Sequence, residues 1–262
     1  MPAFEHIRLG RHPEMPSIAT VRLDRSAAGN AMSDQTLREL AGAFHVLAAD
    51  KQLRAVIVTG EGKHFCAGAD IEWMRRAGRL PPAEGKKDAR LLVDMLSAVR
   101  DCPVPVIVAA HGAVYGGGLG LLAACDISLA AGDARFCFSE CRLGIMPAVI
   151  SCFVIPKIGA AAARRYYLTA EVFDADRARD LGLVHEVVAA KDLAGRAEAL
   201  AAEILKNGPQ AVRAAKDLLL RFDGWTPEER IDSVLETLVK LRSSPEGQEG
   251  LSAFFEKRRP SW

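Results

Sequence analysis

Three short stretches of the chain are almost wholly apolar, RAVIVTG at 54–60, PVIVAAHG at 105–112 and CDISLAAG at 125–132, each bounded by Gly, Pro or Asp. Unbroken apolar runs of this length predict strands buried on both faces, as in a parallel sheet. Between the first two lies AEGKKDARLLVDMLSAVRDC, in which Leu91, Leu92, Met95, Leu96 and Val99 recur at helical spacing. The alternation of strand and helix predicts an α/β fold with right-handed crossovers. Residues 33–49, SDQTLRELAGAFHVLAA, read as an amphipathic helix capped by Ser33 or Asp34, and SIATVRLD at 17–24 reads as the strand before it.

Beyond about residue 190 the strand pattern stops. KDLAGRAEALAAEILKN, PQAVRAAKDLLLRF and PEERIDSVLETLVKLR read as successive helices opened by Pro or Asp and broken at Asn207-Gly208 and Gly224. The expected division is a core over 1–190 and a helical region over 191–262 that covers another surface. The tail holds Phe254, Phe255 and Trp262 beside Lys257, Arg258 and Arg259. It suits docking on a neighbouring subunit, contact with phosphates, or an ordinary solvated helix end.

Half of the 262 residues are apolar and about a quarter are charged, the balance of a globular protein. A formal net charge of +1, with basic and acidic residues interspersed, gives no footprint for nucleic acid. The six cysteines form no C-x-x-C pair and lie mostly in apolar stretches, which suits reduced thiols in the cytoplasm. The opening MPAFEHIRLGRHPEM has neither the charge pattern nor the apolar run of a targeting segment, and no stretch is long enough to span a membrane.

Two stretches are candidates for chemistry. In GKHFCAGADIEWM, 62–74, a strand runs out through Ala67-Gly68-Ala69 before a helix starts near Ile71. Small residues there allow a ligand close to main-chain N–H groups, although a tight turn explains them as well. In HGAVYGGGLGLLAACD, 111–126, three glycines stand between a buried strand and an apolar helix. Such a turn presents bare N–H donors. The spacing matches neither G-x-x-x-x-G-K-[ST] nor G-x-G-x-x-G, so nucleotide binding by those routes is disfavoured.

Taken together, HFCAGAD, then YGGGLG about fifty residues on, then ACD and FCFSECRLGIMP, resemble the enoyl-CoA hydratase/isomerase (crotonase) family from about residue 17 to the C-terminus. The resemblance implies a spiral of β-β-α turns, a helical trimerisation region and a homotrimer or a hexamer built as a dimer of trimers. It implies an acyl-CoA thioester as substrate, no metal or redox cofactor, and an oxyanion hole formed by the main-chain N–H groups of Ala67 and Gly117. As the reaction puts negative charge on the thioester oxygen, two fixed donors stabilise the transition state more than the ground state.

Family hydratases carry two glutamates, one just after the glycine turn and one twenty residues later. Here the later position is Glu140 and the earlier is Gly120. A lone glutamate resembles Δ3,Δ2-enoyl-CoA isomerases, since one base can carry a proton from C2 to C4. The stretches GLGLLAACDISLAAGDARFCFSECRLGIMPAVIS and ARRYYLTAEVFDADRARDLGLVHE instead resemble hydratases of branched, carboxylated enoyl-CoA thioesters such as 3-methylglutaconyl-CoA, some of which also lack the first glutamate. That reading stands first, the isomerase second, and a non-catalytic acyl-CoA-binding member third.

The segment LDRSAAGNAM, 23–32, matches the coenzyme A loop, with Ala27, Ala28 and Gly29 where charged residues are usual. The substrate-binding set implied is therefore Ala27, Gly29, Ala67, Gly68, Ala69, Asp70, Ile71, Tyr115, Gly116, Gly117, Gly120 and Glu140, with Tyr115 lining the acyl pocket. Asp70 is better read as a helix cap than a catalyst. His64 and His111 read as packing or hydrogen-bonding residues, Cys141 as a buried thiol, and Arg142 as the partner of a carboxylate on the substrate or the protein. The polar residues 75–90 are expected to form a mobile loop along one wall of the pocket.

Overall fold

In the computed structural model, which describes residues 3–262 apart from the Asp223 side chain, the strands are β1 (Ile7–Arg11), β2 (Ile18–Leu23), β3 (Ala55–Gly60), β4 (Val106–Ala110), β5 (Ala113–Tyr115), β6 (Ile127–Ala131), β7 (Arg135–Cys137), β8 (Phe173–Asp174) and β9 (Glu186–Val188). The helices are α1 (Asp34–Ala49), α2 (Ile71–Ala77), α3 (Pro82–Arg100), α4 (Gly117–Ala124), α5 (Ala148–Thr169), α6 (Ala175–Asp180), α7 (Leu193–Leu205), α8 (Pro209–Arg221), α9 (Pro227–Ser243) and α10 (Pro245–Phe255). The main sheet runs β1-β2-β3-β4-β6-β9, and a smaller one runs β5-β7-β8.

The three apolar runs are β3, β4 and β6, adjacent and parallel. Their unbroken hydrophobicity follows from burial of both faces. Val56, Val58, Val106 and Val108 join the large core with Leu37, Leu40 and Phe44 of α1 and Met95, Leu96 and Val99 of α3. The alternate residues Ala55, Ile57, Ile107 and Ala109 meet Leu193, Ala197 and Ala201 of α7. The first helix beyond residue 190 thus seals the second face of the sheet. Ser33, rather than Asp34, caps α1 by accepting from Thr36 N–H.

The small sheet supplies the second strand of each β-β-α turn: β4 leads through β5 into α4, and β6 leads through β7 towards α5. Two isolated parallel bridges, Cys66 with Val114 and Met32 with Ala69, carry this layer across to the loop before α2. Strands of two or three residues are too short for an alternating pattern, which is why they are not legible in the chain.

Residues 75–90 are not the expected loop. They end α2 and begin α3, because Pro82 at the first helical turn starts a helix that runs into the apolar stripe of Leu91 to Val99. Farther on, α8 is anchored to the sheet by Lys216, which is 6 % exposed and donates to Asp126 Oδ2 at 2.6 Å and to Val104 O at 3.0 Å. The tail folds back on its own chain, with Trp262 Nε1 donating to Lys206 O and Arg258 held by Glu249 and Glu256. Phe254 and Phe255 stay open, at 77 % and 76 % exposure.

Candidate active site

A cavity of 450 Å³ opens between the two glycine-bearing segments, α2, α3 and the start of α5. One wall is main chain, from Ala67-Gly68-Ala69 and Gly116-Gly117, and the others are apolar, including Met74, Leu92, Ile145, Met146 and Ile150. Among the described residues, the ionisable groups in the lining are Asp88 and Glu140, and no Arg, Lys or His is among them.

The N–H of Ala67 is not available to a ligand, because it donates to Gly29 O at 2.9 Å. This corrects the expected oxyanion donor. The N–H of Ala69 is placed differently. Around it Met32 N donates to Gly68 O and Asp70 N donates to Met32 O, both at 2.8 Å, in the pattern of a parallel bridge. In that pattern the paired residue's own N–H points the opposite way. The N–H of Ala69 has no partner among the described residues and lies in the cavity wall, and so does that of Gly117, at the first turn of α4, where helix geometry leaves N–H groups free.

Gly116 has φ +48°, a conformation that a side chain would strain. A methyl group built there would stand 3.5 Å from Glu140 Oε1 and 3.8 Å from Gly68 Cα. The Glu140 carboxylate therefore lies against the main-chain wall that carries the two free donors. Its Oε2 is buried and without a hydrogen-bond partner among the described residues. Burial, against a weaker opposing contribution from its own backbone N–H, raises its pKa above the usual carboxylate range. A partly buried carboxylate in a cavity wall, with one oxygen lacking a partner and a raised pKa, suits proton exchange.

Gly120 lies outside the cavity lining. A methyl there would stand 2.5 Å from Ile150 Cγ2 and 3.1 Å from Leu96 Cδ1, so a side chain at this position has no room. The missing first glutamate is thus replaced by packing and not by solvent.

Of the remaining expected residues, Gly68 and Ile71 line the cavity, while Asp70 and Tyr115 do not. Tyr115 sits behind Gly68, with its Cβ 3.9 Å from where a Gly68 methyl would be. Asp70 caps α2 through Trp73 N–H at 3.0 Å and pairs with Arg25 at 3.0 Å. Burial pushes its pKa up, but these contacts outweigh it and leave the group below its ordinary value. Ala27 and Ala28 lie exposed on a 3₁₀ turn, and Gly29 closes that turn, with its carbonyl committed to Ala67.

His64 accepts from Ala113 N–H and His111 Nε2 bonds to Gly62 O, so both brace the two segments. Cys141 is exposed and not the buried thiol expected, because it stands on a 3₁₀ turn where it and Arg142 are open to solvent. Arg142, on the same turn, forms no ion pair among the described residues. Asp88, which no motif pointed to, reaches the cavity from α3 and accepts from Trp73 Nε1 at 3.0 Å.

The site thus combines two unpartnered main-chain donors, a partly buried carboxylate and an apolar cavity. Residues 14–262 match the family model described as "Enoyl-CoA hydratase/isomerase", and the chain belongs to this family. It is similar to the crotonyl-CoA hydratase of Syntrophomonas wolfei, at 33 % identity over 99 % of this chain and 98 % of the relative. The short-chain-enoyl-CoA hydratase of Clostridium acetobutylicum is 32 % identical over 92 % of each. The crystal structure of an enoyl-CoA hydratase from Shewanella pealeana superposes with a TM-score of 0.93 at 36 % identity, covering 99 % of this chain and 96 % of that one. The fold is the crotonase fold. Among the described residues, no helix is long and apolar enough to cross a membrane and no group of three or more His, Cys, Asp or Glu is placed to hold a metal ion.

Proposed function

We propose that the protein is an enoyl-CoA hydratase in which Glu140 is the single acid/base group. The observation that carries this reading is the Glu140 carboxylate, with Oε1 against the wall that bears the free N–H groups of Ala69 and Gly117 and Oε2 buried without a partner among the described residues. The thioester oxygen sits between those two donors. The oxygen of a water bonds to C3 while the carboxylate takes one of its protons, and the C2–C3 π electrons move towards the thioester oxygen as an enolate. Glu140 then returns the proton to C2 and the thioester carbonyl re-forms. Atoms balance as addition of one water, and one carboxylate suffices because it is a base in the first half and an acid in the second.

The branched, carboxylated substrate implied by the sequence resemblance would bring another carboxylate beside Asp88 and Glu140 with no cation in the lining. Apolar enoyl chains fit the cavity better, and we place them first. The exposed loop of Ala27, Ala28 and Gly29 leaves coenzyme A main-chain contacts rather than side-chain ones. The open apolar residues of α8 to α10 suit a trimer interface, consistent with a homotrimer or a dimer of trimers.

The space filled beside Gly120 supports a second reading, a Δ3,Δ2-enoyl-CoA isomerase, in which Glu140 carries a proton from C2 to C4. Wild type and Glu140→Gln are compared on crotonyl-CoA, 3-methylglutaconyl-CoA and a 3-enoyl-CoA, following the conjugated enoyl thioester absorbance. Glu140-dependent loss of that absorbance with crotonyl-CoA supports the hydratase. Gain of absorbance with the 3-enoyl substrate alone replaces it with the isomerase, and tight binding without turnover points to a non-catalytic acyl-CoA-binding protein.

A further inference from the structure

We infer that Asp88 is a specificity-determining residue that keeps acyl chains bearing a terminal carboxylate out of the cavity. The inference rests on the reading of this cavity as the acyl site. Asp88 lies on α3, is partly buried, and contributes a carboxylate to a lining that is otherwise small or apolar apart from Ser139, Glu140 and Trp73. Its Oδ1 accepts from Trp73 Nε1 at 3.0 Å, a bond that ties α3 to α2 and fixes the carboxylate at the wall. The other ionisable lining group is Glu140, so every charge that an acyl chain meets inside is negative.

Asp88 also lines a separate surface groove with Arg38, Lys87 and Glu84, where Arg38 pairs with Asp34 and not with Asp88. Like charges that face each other across an apolar cavity repel more strongly than the same charges in bulk water. A neutral methyl end meets only apolar wall. A carboxylate end is desolvated, unpaired and opposed by Asp88. That combination discriminates by building a penalty against the wrong ligand, without an added contact to the right one.

The test measures affinity, so it is independent of turnover. Butyryl-, valeryl- and hexanoyl-CoA are titrated by calorimetry against succinyl-, glutaryl- and adipyl-CoA, using wild type, Asp88→Asn and Asp88→Ala. Asparagine keeps the acceptor for Trp73 and removes the charge. For the chain length that reaches the wall, wild type is expected to bind the neutral thioester at least about tenfold more tightly, and Asp88→Asn to narrow that ratio by about tenfold, the scale of one like-charge contact at intermediate dielectric. The alanine variant narrows it similarly if charge is the cause. A ratio unchanged by both substitutions at every length, or a wild type that prefers the carboxylated series, overturns the role of Asp88. Failure to hydrate any enoyl-CoA, with the affinity ratio still dependent on Asp88, overturns the hydratase reading alone.

Discussion

The Cγ2 of Ile150 stands 2.5 Å from where a methyl group on Gly120 would project, so a side chain on α5 occupies the space in which the family's first glutamate would begin. The space at position 120 is thereby set by a residue about thirty positions farther along the chain. Alanine at 120 must push Ile150 or Leu96 aside, and overpacking of this kind typically destabilises by about 1–3 kcal/mol. Gly120→Ala is expected to lower the unfolding free energy by that amount, seen as a lower urea midpoint. Combined with Ile150→Ala, which removes Cγ2, the loss should be smaller than the sum of the two single losses, because the sites share one space. A double-mutant cycle in urea measures the coupling.

Glu140→Gln should abolish acid/base function, with a loss in kcat/KM of about two to four orders of magnitude. Stability should move the other way. Burial raises the folded-state pKa of Glu140, so the charged form destabilises the fold above that pKa and the penalty disappears as pH falls and both states become protonated. The variant is expected to melt at a higher temperature than wild type at pH 8, with the gap closing below the ordinary glutamate range. Thermal melts across that pH series check the sign.

The proposal that Ala69, and not Ala67, is the oxyanion donor is tested by chemistry that alters only the backbone. Replacing the Ala69 peptide N–H by an ester oxygen should reduce kcat on the order of a hundredfold or more with a smaller change in KM. The same replacement at Ala67 removes the hydrogen bond to Gly29 O and should cost about 0.5–1.5 kcal/mol of stability, with a weaker effect on kcat. Equal kinetic effects at the two positions would return the donor role to both.

Ile231, Leu235 and Leu238 recur at helical spacing along α9 and are 59 %, 54 % and 57 % exposed. An apolar stripe of this kind on a folded chain calls for a partner surface. Leu235→Glu with Leu238→Glu should therefore lower the mass in light scattering coupled to size exclusion, with the far-ultraviolet circular dichroism retained. An unchanged mass would remove α9 from the interface.

The chain by itself determined the elements whose signals are local. Both faces of β3, β4 and β6 are buried, and unbroken apolar runs announce that without knowledge of the neighbours. A cap for α1 at Ser33 or Asp34, the glycine turn at α4 and the lone Glu140 are likewise readable from adjacent residues and from motif order. Tertiary structure decided whatever depends on a partner far along the chain. Gly29 O consumes the Ala67 N–H, Met32 turns that of Ala69 towards the cavity, Ile150 fills the space beside Gly120, and Trp73 fixes Asp88 in the wall. A hydrogen-bond donor is free or committed, and a space is open or filled, only once remote segments have packed, so periodicity and motif spacing carry no record of it.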